Sequence, residues 1–532
     1  MALTWRDMAF LGPALAVAFM MAGTGAAGGE EQTARGYVFE DLNANGVRDP
    51  GEPGVPGVGV SNGVDVVTTD DRGRYEIPVE DDTILFVIKP RDYMTPVSED
   101  QIPAFYYIHK PDGAPALHYP GVEPTGDLPG RVNFPLRARP EPERFRAVVF
   151  GDPQPRNMEE VEYIARDVVD GLIGVDAAFG VTLGDIVFDD LDLFEPLNAV
   201  IGHIGIPWRN ILGNHDINFD ASNHRHATET FQRVYGPPYY AFAHGPVFFL
   251  MLDNVHWQGD GHVSRLGADQ LRFIENALTL VDPDQLVVMF MHHPITSTED
   301  REELFALLED FPNTVSVSAQ WHRMSHKFLG PEDGWPGERP HHHIVHGTVS
   351  GSWWAGHPDE LGVPHATMSD GTPNGYSIFT FDGANYSFEY FAARRPEDYQ
   401  MNIHAPDEVS RSEAGETAVV ANVFAGSSRS VVEMRLGGAG PWRALERVER
   451  PDPNYERLKE VEQAVIEAFE EAETDPPAEL GRTLPSPRDS THIWEGTLPD
   501  MPEAGTHLIE IRATDMFNQV YNGHRVIRVT ED

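Results

Sequence analysis

Between Phe145 and His322, an apolar run of strand character ends five times in a polar side chain able to bind a metal ion. AVVFGD delivers Asp152 and then Gln154, FGVTLGD delivers Asp185, and WRNILGNHD delivers Asn214, His215 and Asp216. LVVMFMHHP delivers His292 and His293, and VSVSAQWH delivers Gln320 and His322. Short apolar runs bounded in this way read as buried strands. Helical stretches such as Glu159 to Val169 and Leu266 to Leu280 alternate with them, which predicts helices layered on sheets. In such layers the carboxyl ends of the strands lie along one edge, so residues far apart in sequence can meet there.

The residue types at these strand ends set the chemistry. Carboxylate, amide oxygen and imidazole together suit hard or borderline divalent cations. Glycine before Asp185 and before Asn214 lets the backbone pass close to such ions. The chain has no cysteine, which excludes disulfides, zinc-thiolate sites and thiol nucleophiles.

Asp152-Pro153-Gln154, Gly184-Asp185, Gly213-Asn214-His215-Asp216, His292 and Gln320-Trp321-His322 resemble the five motif blocks of the calcineurin-like metallophosphoesterases. The resemblance covers roughly residues 145–393, and the flanks resemble accessory domains found on one bacterial branch of that family. It implies an α/β (α+β) fold: a central two-layer β-sandwich flanked by helices, carrying a dinuclear metal centre. Asp152, Gln154, Asp185 and His322 would hold one ion. Asp185 would bridge to a second, held by Asn214, His292 and Gln320. His215 would sit beside the phosphoryl group and Asp216 would orient it. The implied reaction is hydrolysis of a phosphate mono- or diester by in-line attack of a metal-bridging hydroxide. His215 would act as general acid, with the charge of Asp216 favouring its imidazolium.

Two positions depart from the commonest family pattern. Gln154 stands where histidine is more usual, and Ala319-Gln320 stands where Gly-His is usual. A neutral amide oxygen is a poorer ligand than imidazole for zinc or late iron, so among manganese, iron, zinc and magnesium the set favours manganese. His326 or one of His341, His342 and His343 is a substitute donor within reach in sequence, although that tract reads first as a solvent-facing loop. Trp353 and Trp354, with Asn374 and Tyr376 in a glycine-rich turn, are candidates for a wall that receives a base, sugar or lipid headgroup, against the alternative of core packing. His224, His226 and Tyr239 are further candidates for the pocket border.

Strand-like runs before and after the central segment predict β-rich flanks. The expected organisation is an N-terminal Ig-like β-sandwich over 35–137, the phosphoesterase domain over 144–393, and a C-terminal β-sandwich with one helix over 400–532. Asp71-Arg72-Gly73 is read as a hairpin turn, RARPEPER near residue 140 as a linker, and the stripe Leu458, Val461, Val465, Ala468 and Ala472 as the packing face of the helix. Asp41, Asn43, Asn45, Asp49 and Glu52, with Gly46, fit the calcium-loop template D-x-[DN]-x-[DN]-G-x5-E in full. Their strand-like surroundings suggest a structural calcium site in a β-domain rather than a paired EF-hand.

At the amino terminus, Arg6, an apolar run from Met8 to Met21 and a small-residue stretch ending at Ala27 have the order of a Sec-type signal peptide over 1–27. A periplasmic or secreted protein without a membrane span is expected. Net charge is −45, and of 39 basic residues only Lys89, Lys110, Lys327 and Lys459 are lysines. Such acidity excludes sequence-independent binding to a nucleic-acid backbone. It does not exclude a small-molecule or headgroup phosphoester as substrate, because local metal cations outweigh a diffuse charge that salt screens within about 8–10 Å. The rival function is a secreted binding or adhesion module that keeps the fold with a degraded second metal site, suggested by Gln154 and Gln320.

Overall fold

A computed structural model describes residues 32–438, 440–475 and 480–532. The signal-peptide expectation falls on 1–27 and lies outside them. Among the described residues no helix is long and apolar enough to cross a membrane.

Two sheets form the centre. One runs in the order Trp208–Asn210, Phe179–Thr182, Arg144–Phe150, Gly375–Asp382, Asn385–Ala392, with the first three strands parallel. The other runs Tyr240–His244, Val247–Met251, Leu286–Phe290, Thr314–Ser318, His341–Val345, Ser325–Leu329, with its four inner strands parallel. Phe249 shows how the sheets join: it stacks on Phe290 within its own sheet and meets Phe381 of the other edge-on at 5.4 Å. Strands buried on both faces read as continuous apolar runs, which is why LVVMF and VFFLM carry no alternation. Helices cover the outside. Met158–Ile164 starts at Asn157, whose side chain accepts from the Glu160 N–H. It continues into a π turn at Ala165–Val169. Ala268–Leu278 buries Phe273, Ile274 and Ala277.

The flanks are rich in strands, as expected. The N-terminal region has two four-stranded sheets, and the C-terminal region has one sheet of four strands and one of five. Gly505–Thr514 buries Ile509, Ile511 and Ala513 and leaves the residues between them more exposed, the alternation of a sheet with one wet face. The N-terminal sheets share their core with the centre through Phe86 on Phe273 at 5.5 Å and Phe105 on Tyr240 at 4.7 Å.

Four local expectations are corrected. Asp71-Arg72-Gly73 does form a tight turn, with Gly73 N–H donating to Asp70 C=O, but the strands it joins belong to different sheets. His341, His342 and His343 are not on a solvent-facing loop. They lie in a buried strand, where Ser316 Oγ sits 2.7 Å from both His341 Nε2 and His343 Nδ1. Their neighbours satisfy them, and burial holds all three rings well below the usual histidine range. The stripe on the helix Pro453–Glu471 is not a packed face: only Tyr455 and Glu462 are buried, and Val461 is 52% exposed.

RARPEPER is a clasp rather than a free linker. Glu141 within it is buried and receives Lys89 Nζ at 2.6 Å, with His244 Nδ1 at 3.1 Å. Burial alone would raise the Glu141 carboxyl, but the His244 hydrogen bond and the Lys89 ammonium overcome it and hold it at about 2, from 4.5. A carboxyl lowered in this way contributes stability that is present above about pH 4.5 and is lost as pH falls toward 2. Removing one partner of a buried pair leaves the other charge uncompensated and typically costs about 3–5 kcal/mol. Glu141→Gln is therefore expected to lower the Tm at pH 7 and to flatten its fall between pH 5 and pH 3, as thermal unfolding would show.

Candidate metal centre

The parallel strands end where the sequence predicts. Asp152 follows Arg144–Phe150, Asp185 follows Phe179–Thr182 and Asn214 follows Trp208–Asn210, while His292 and Gln320 follow Leu286–Phe290 and Thr314–Ser318. All seven candidate ligands converge. Gln154 Nε2 donates to Asp185 Oδ2 at 2.7 Å, and His292 Nε2 is 3.2 Å from both Asp185 Oδ1 and Asn214 Oδ1. His322 Nε2 lies 3.1 Å from Asp152 Oδ2, and the Gln320 N–H reaches Asp152 Oδ1 at 3.4 Å. The approach is tight enough that a Cβ on Gly213 would fall 1.9 Å from the Asp185 nitrogen, and one on Gly184 2.6 Å from the His292 ring.

Several features mark the cluster as built for something other than packing. Asp152, Gln154, Asp185, Gln320 and His322 all have positive φ, between 31° and 68°. Such conformations cost non-glycine residues about 1–3 kcal/mol each and gather at functional sites. Both imidazoles are aimed by backbone carbonyls, since His292 Nδ1 is 2.8 Å from Leu183 C=O and His322 Nδ1 is 2.5 Å from Gly351 C=O. With Nδ1 held by a carbonyl, each ring turns its Nε2 into the cluster, the arrangement found in metal-ligating histidines.

The fit to metal ions can be tested on the oxygens. Gln154 Oε1 and Gln320 Oε1 are buried without a hydrogen-bond partner, and Asp152 Oδ2 has nothing beyond the His322 ring nitrogen at 3.1 Å. Buried polar atoms are rarely left unpaired, and these oxygens belong to three residues of the cluster. Burial alone would lower His292, but Asp185 and Asp152 hold its ring protonated, at about 10. The carboxylates thus draw positive charge to the place where cations would supply it. Among the described residues no three His, Asp or Glu side chains by themselves form a metal cage. Three of the seven candidates are amides, and the two imidazoles close directly onto Asp185 and Asp152. The donor set fits a pair of hard or borderline divalent ions.

Two family models match the chain, the N-terminal domain of calcineurin-like phosphoesterases over residues 42–119 and their C-terminal domain over residues 343–521. The chain belongs to the calcineurin-like phosphoesterases. The family implies a dinuclear metal centre, and the converging residues lie between Asp152 and His322, in the interval the two models bracket. Among solved structures, purple acid phosphatase PPD1 from yellow lupin (Lupinus luteus) seeds aligns at 12% identity and a TM-score of 0.36, covering 68% of this chain and 67% of its own. No curated protein matches the chain.

In this calcineurin-like phosphoesterase His215 stands at the open side of the cluster, with Nε2 4.0 Å from Asp185 Oδ2. Its orienting partner is not Asp216. The Asp216 carboxylate is buried and accepts from the Gly213, Ile186 and Val187 N–H groups, so it ties together the two loops that carry Asp185 and Asn214. Burial and the nearby Asp185 charge raise it to about 7. Asp189 holds His215 instead, with Oδ1 2.6 Å from Nδ1. Burial opposes protonation of His215, but the Asp189 hydrogen bond and the Asp185 charge prevail and raise its pKa. The signal for Asp189 lay in Gly184-Asp185-x-x-x-Asp189, an acid one short loop beyond a candidate ligand.

Of the four residues offered as a substrate wall, only Trp353 borders the centre. It is half-buried and lies 4.0 Å from the His322 ring. Trp354 is buried, with Nε1 donating to Pro153 C=O. Asn374 is buried and donates to Asp167 and Val349, and Tyr376 packs on Phe150 and Phe391. These three hold the fold: Tyr376 lies in strand Gly375–Asp382, which is paired on both sides, and Trp354 and Asn374 fasten the segments that lead into it.

His224 and Tyr239 line a separate cleft toward the N-terminal sheets, and His226 belongs to a short helix capped by Asn223. Three residues at the centre had escaped the sequence reading. Phe188 stacks on His215 at 4.3 Å, Arg156 lies 4.0 Å over Phe188 and donates to Trp353 C=O, and Arg482 reaches the same carbonyl from the C-terminal region. His293 adds an imidazole 3.3 Å from Asn214 Oδ1, and His262 stacks on it.

Proposed function

We propose that this protein is an exported, metal-dependent phosphoesterase that hydrolyses a phosphate mono- or diester of a small molecule or headgroup. The observation that carries this reading is the convergence of five strained, positive-φ residues, three of which carry buried oxygens short of hydrogen-bond partners, beside a histidine held by a carboxylate. Asp152, Gln154, Asp185 and His322 would hold one divalent ion, and Asp185, Asn214, His292 and Gln320 the other. Bound there, two such ions acidify water and neutralise phosphoryl oxygens. Amide oxygens in both sets favour manganese.

His215 is suited to donate a proton to the leaving oxygen. Asp189 fixes its Nδ1 and favours the imidazolium, which leaves Nε2 facing the cluster. Phe188 against one face of the ring limits its rotation. Arg156 and Arg482 anchor the Trp353 turn through one carbonyl, so the indole is held as the border a substrate would pass. The decisive experiment is hydrolysis of p-nitrophenyl phosphate and its bis ester after manganese is added. The proposal expects turnover that a chelator abolishes, and full activity in an Asp185→Ala variant would refute it.

We also propose that residues 1–27 direct export and that the Asp41–Glu52 loop holds calcium, stiffening a β-domain of Ig-like character. In support, Asp41 and Glu52 are buried with their carboxylates turned inward, Asp41 accepts from the Gly46 N–H, and Gly46 sits at φ 74°. Calcium is expected to raise the Tm of the wild type and to leave a Glu52→Gln variant almost unmoved, measured by thermal unfolding in the absence of other divalent ions.

A further inference from the structure

The opposite end of the central strands carries a second cavity, of about 570 Å³, lined by residues at the amino ends of Arg144–Phe150 and Phe179–Thr182. A strand of seven residues rises about 3.3 Å per residue, so the two ends are roughly 20 Å apart. On a chain of net charge −45 with four lysines, this cavity gathers five cations, Lys89, Arg139, Arg144, Arg146 and Arg209, against only Glu141 and Asp176.

The cations play different parts. Lys89 is fully engaged, donating to Glu141 Oε1, Pro90 C=O and Ala243 C=O. Arg146 pairs with Asp176 at 3.3 Å, and Arg144 is exposed, 3.9 Å from Asp382. Arg209 is different: it is 6% exposed, lies 3.8 Å over the Phe242 ring, and has no carboxylate within 4 Å among the described residues. Its Nε is buried without a hydrogen-bond partner, and so is Nε2 of His244 across the cavity. A buried charge is normally paired with a carboxylate, whereas this guanidinium meets the Tyr240 side chain and feels Glu141 only at a distance, inside a cavity rich in cations. Phe145, Phe179 and Pro207 supply apolar wall between the charges.

We propose that this cavity binds a small organic anion bearing phosphate or carboxylate groups, at a site separate from the metal centre. The ligand's charge meets Arg209 at depth and the exposed arginines at the mouth, and its apolar body lies on the phenylalanine wall. A guanidinium fork suits either oxyanion, so the ligand's source is left to the experiment.

The test is calorimetric titration of full-length protein with phenylphosphonate, which has no hydrolysable ester, and in parallel with isophthalate. In an Asp185→Asn background, where the metal centre is disabled, one site per chain is expected to remain for at least one probe. The probe that binds tells phosphate from carboxylate preference. Arg209→Met is expected to weaken that binding at least tenfold, and the exposed double variant Arg144→Glu with Arg146→Glu provides the same readout without disturbing the core. Absence of binding of both probes in the Asp185→Asn protein would overturn the proposal. So would binding that the exposed double variant leaves unchanged.

Discussion

Asp185→Asn is expected to lower kcat for aryl phosphates by about 10³-fold or more and to empty at least one metal position. Asp185 is the carboxylate on which the cluster turns: Gln154 Nε2 reaches one oxygen, and His292 Nε2 and the His215 N–H reach the other. Asparagine has the same shape and can still accept the His215 N–H, so the loop should hold while the charge is lost. Charge stabilisation by bound metal is worth several kcal/mol in the transition state, and each 1.36 kcal/mol is a factor of ten in rate. Kinetics together with metal content distinguish this from unfolding, since the Tm in a chelator should change little. Near-normal turnover in the variant would contradict the assignment.

The second large effect is expected at His215, and it depends on the leaving group. General acids typically contribute about 10²- to 10⁴-fold, and the contribution grows as the departing oxygen becomes more basic. His215→Asn is therefore expected to lose about 10²-fold or more on phenyl phosphate and distinctly less on p-nitrophenyl phosphate, whose leaving group needs no proton. Asp189→Asn removes the carboxylate 2.6 Å from Nδ1 and should reproduce a smaller version of the same dependence, with the alkaline limb of the rate profile moved to lower pH. Asp216→Asn should act differently. Its carboxylate meets three backbone N–H groups rather than the imidazole, so the loss should appear in stability and metal retention without dependence on the leaving group. Equal losses on both esters in His215→Asn would exclude it as the acid.

The strand-end pattern made the cluster legible because period and position are local properties: an apolar run, a glycine, then a polar residue. The convergence of Asp152, Asp185, Asn214, His292, Gln320 and His322 needs only that parallel strands finish at one edge. What escaped depended on contacts between distant segments. Asp216 follows His215 directly and so looked like its partner, yet three backbone N–H groups claim its carboxylate while Asp189 arrives from another loop. His341, His342 and His343 look soluble as a triplet, but Ser316 and Thr314 on the neighbouring strand satisfy two of them in the core. Trp353 and Trp354 are adjacent in sequence and opposite in fate, one beside His322 and the other under Pro153. The apolar stripe of the helix Pro453–Glu471 is regular in sequence, and only the tertiary fold decides whether another surface covers it.

The central claim is that this cluster holds two catalytic ions. Its most direct test is elemental analysis of the full chain after incubation with manganese and removal of free metal by gel filtration. The account predicts two manganese ions per chain, falling by at least one in Asp185→Asn. Calcium alone, with no manganese retained, would contradict it and favour a binding module built on a phosphoesterase fold.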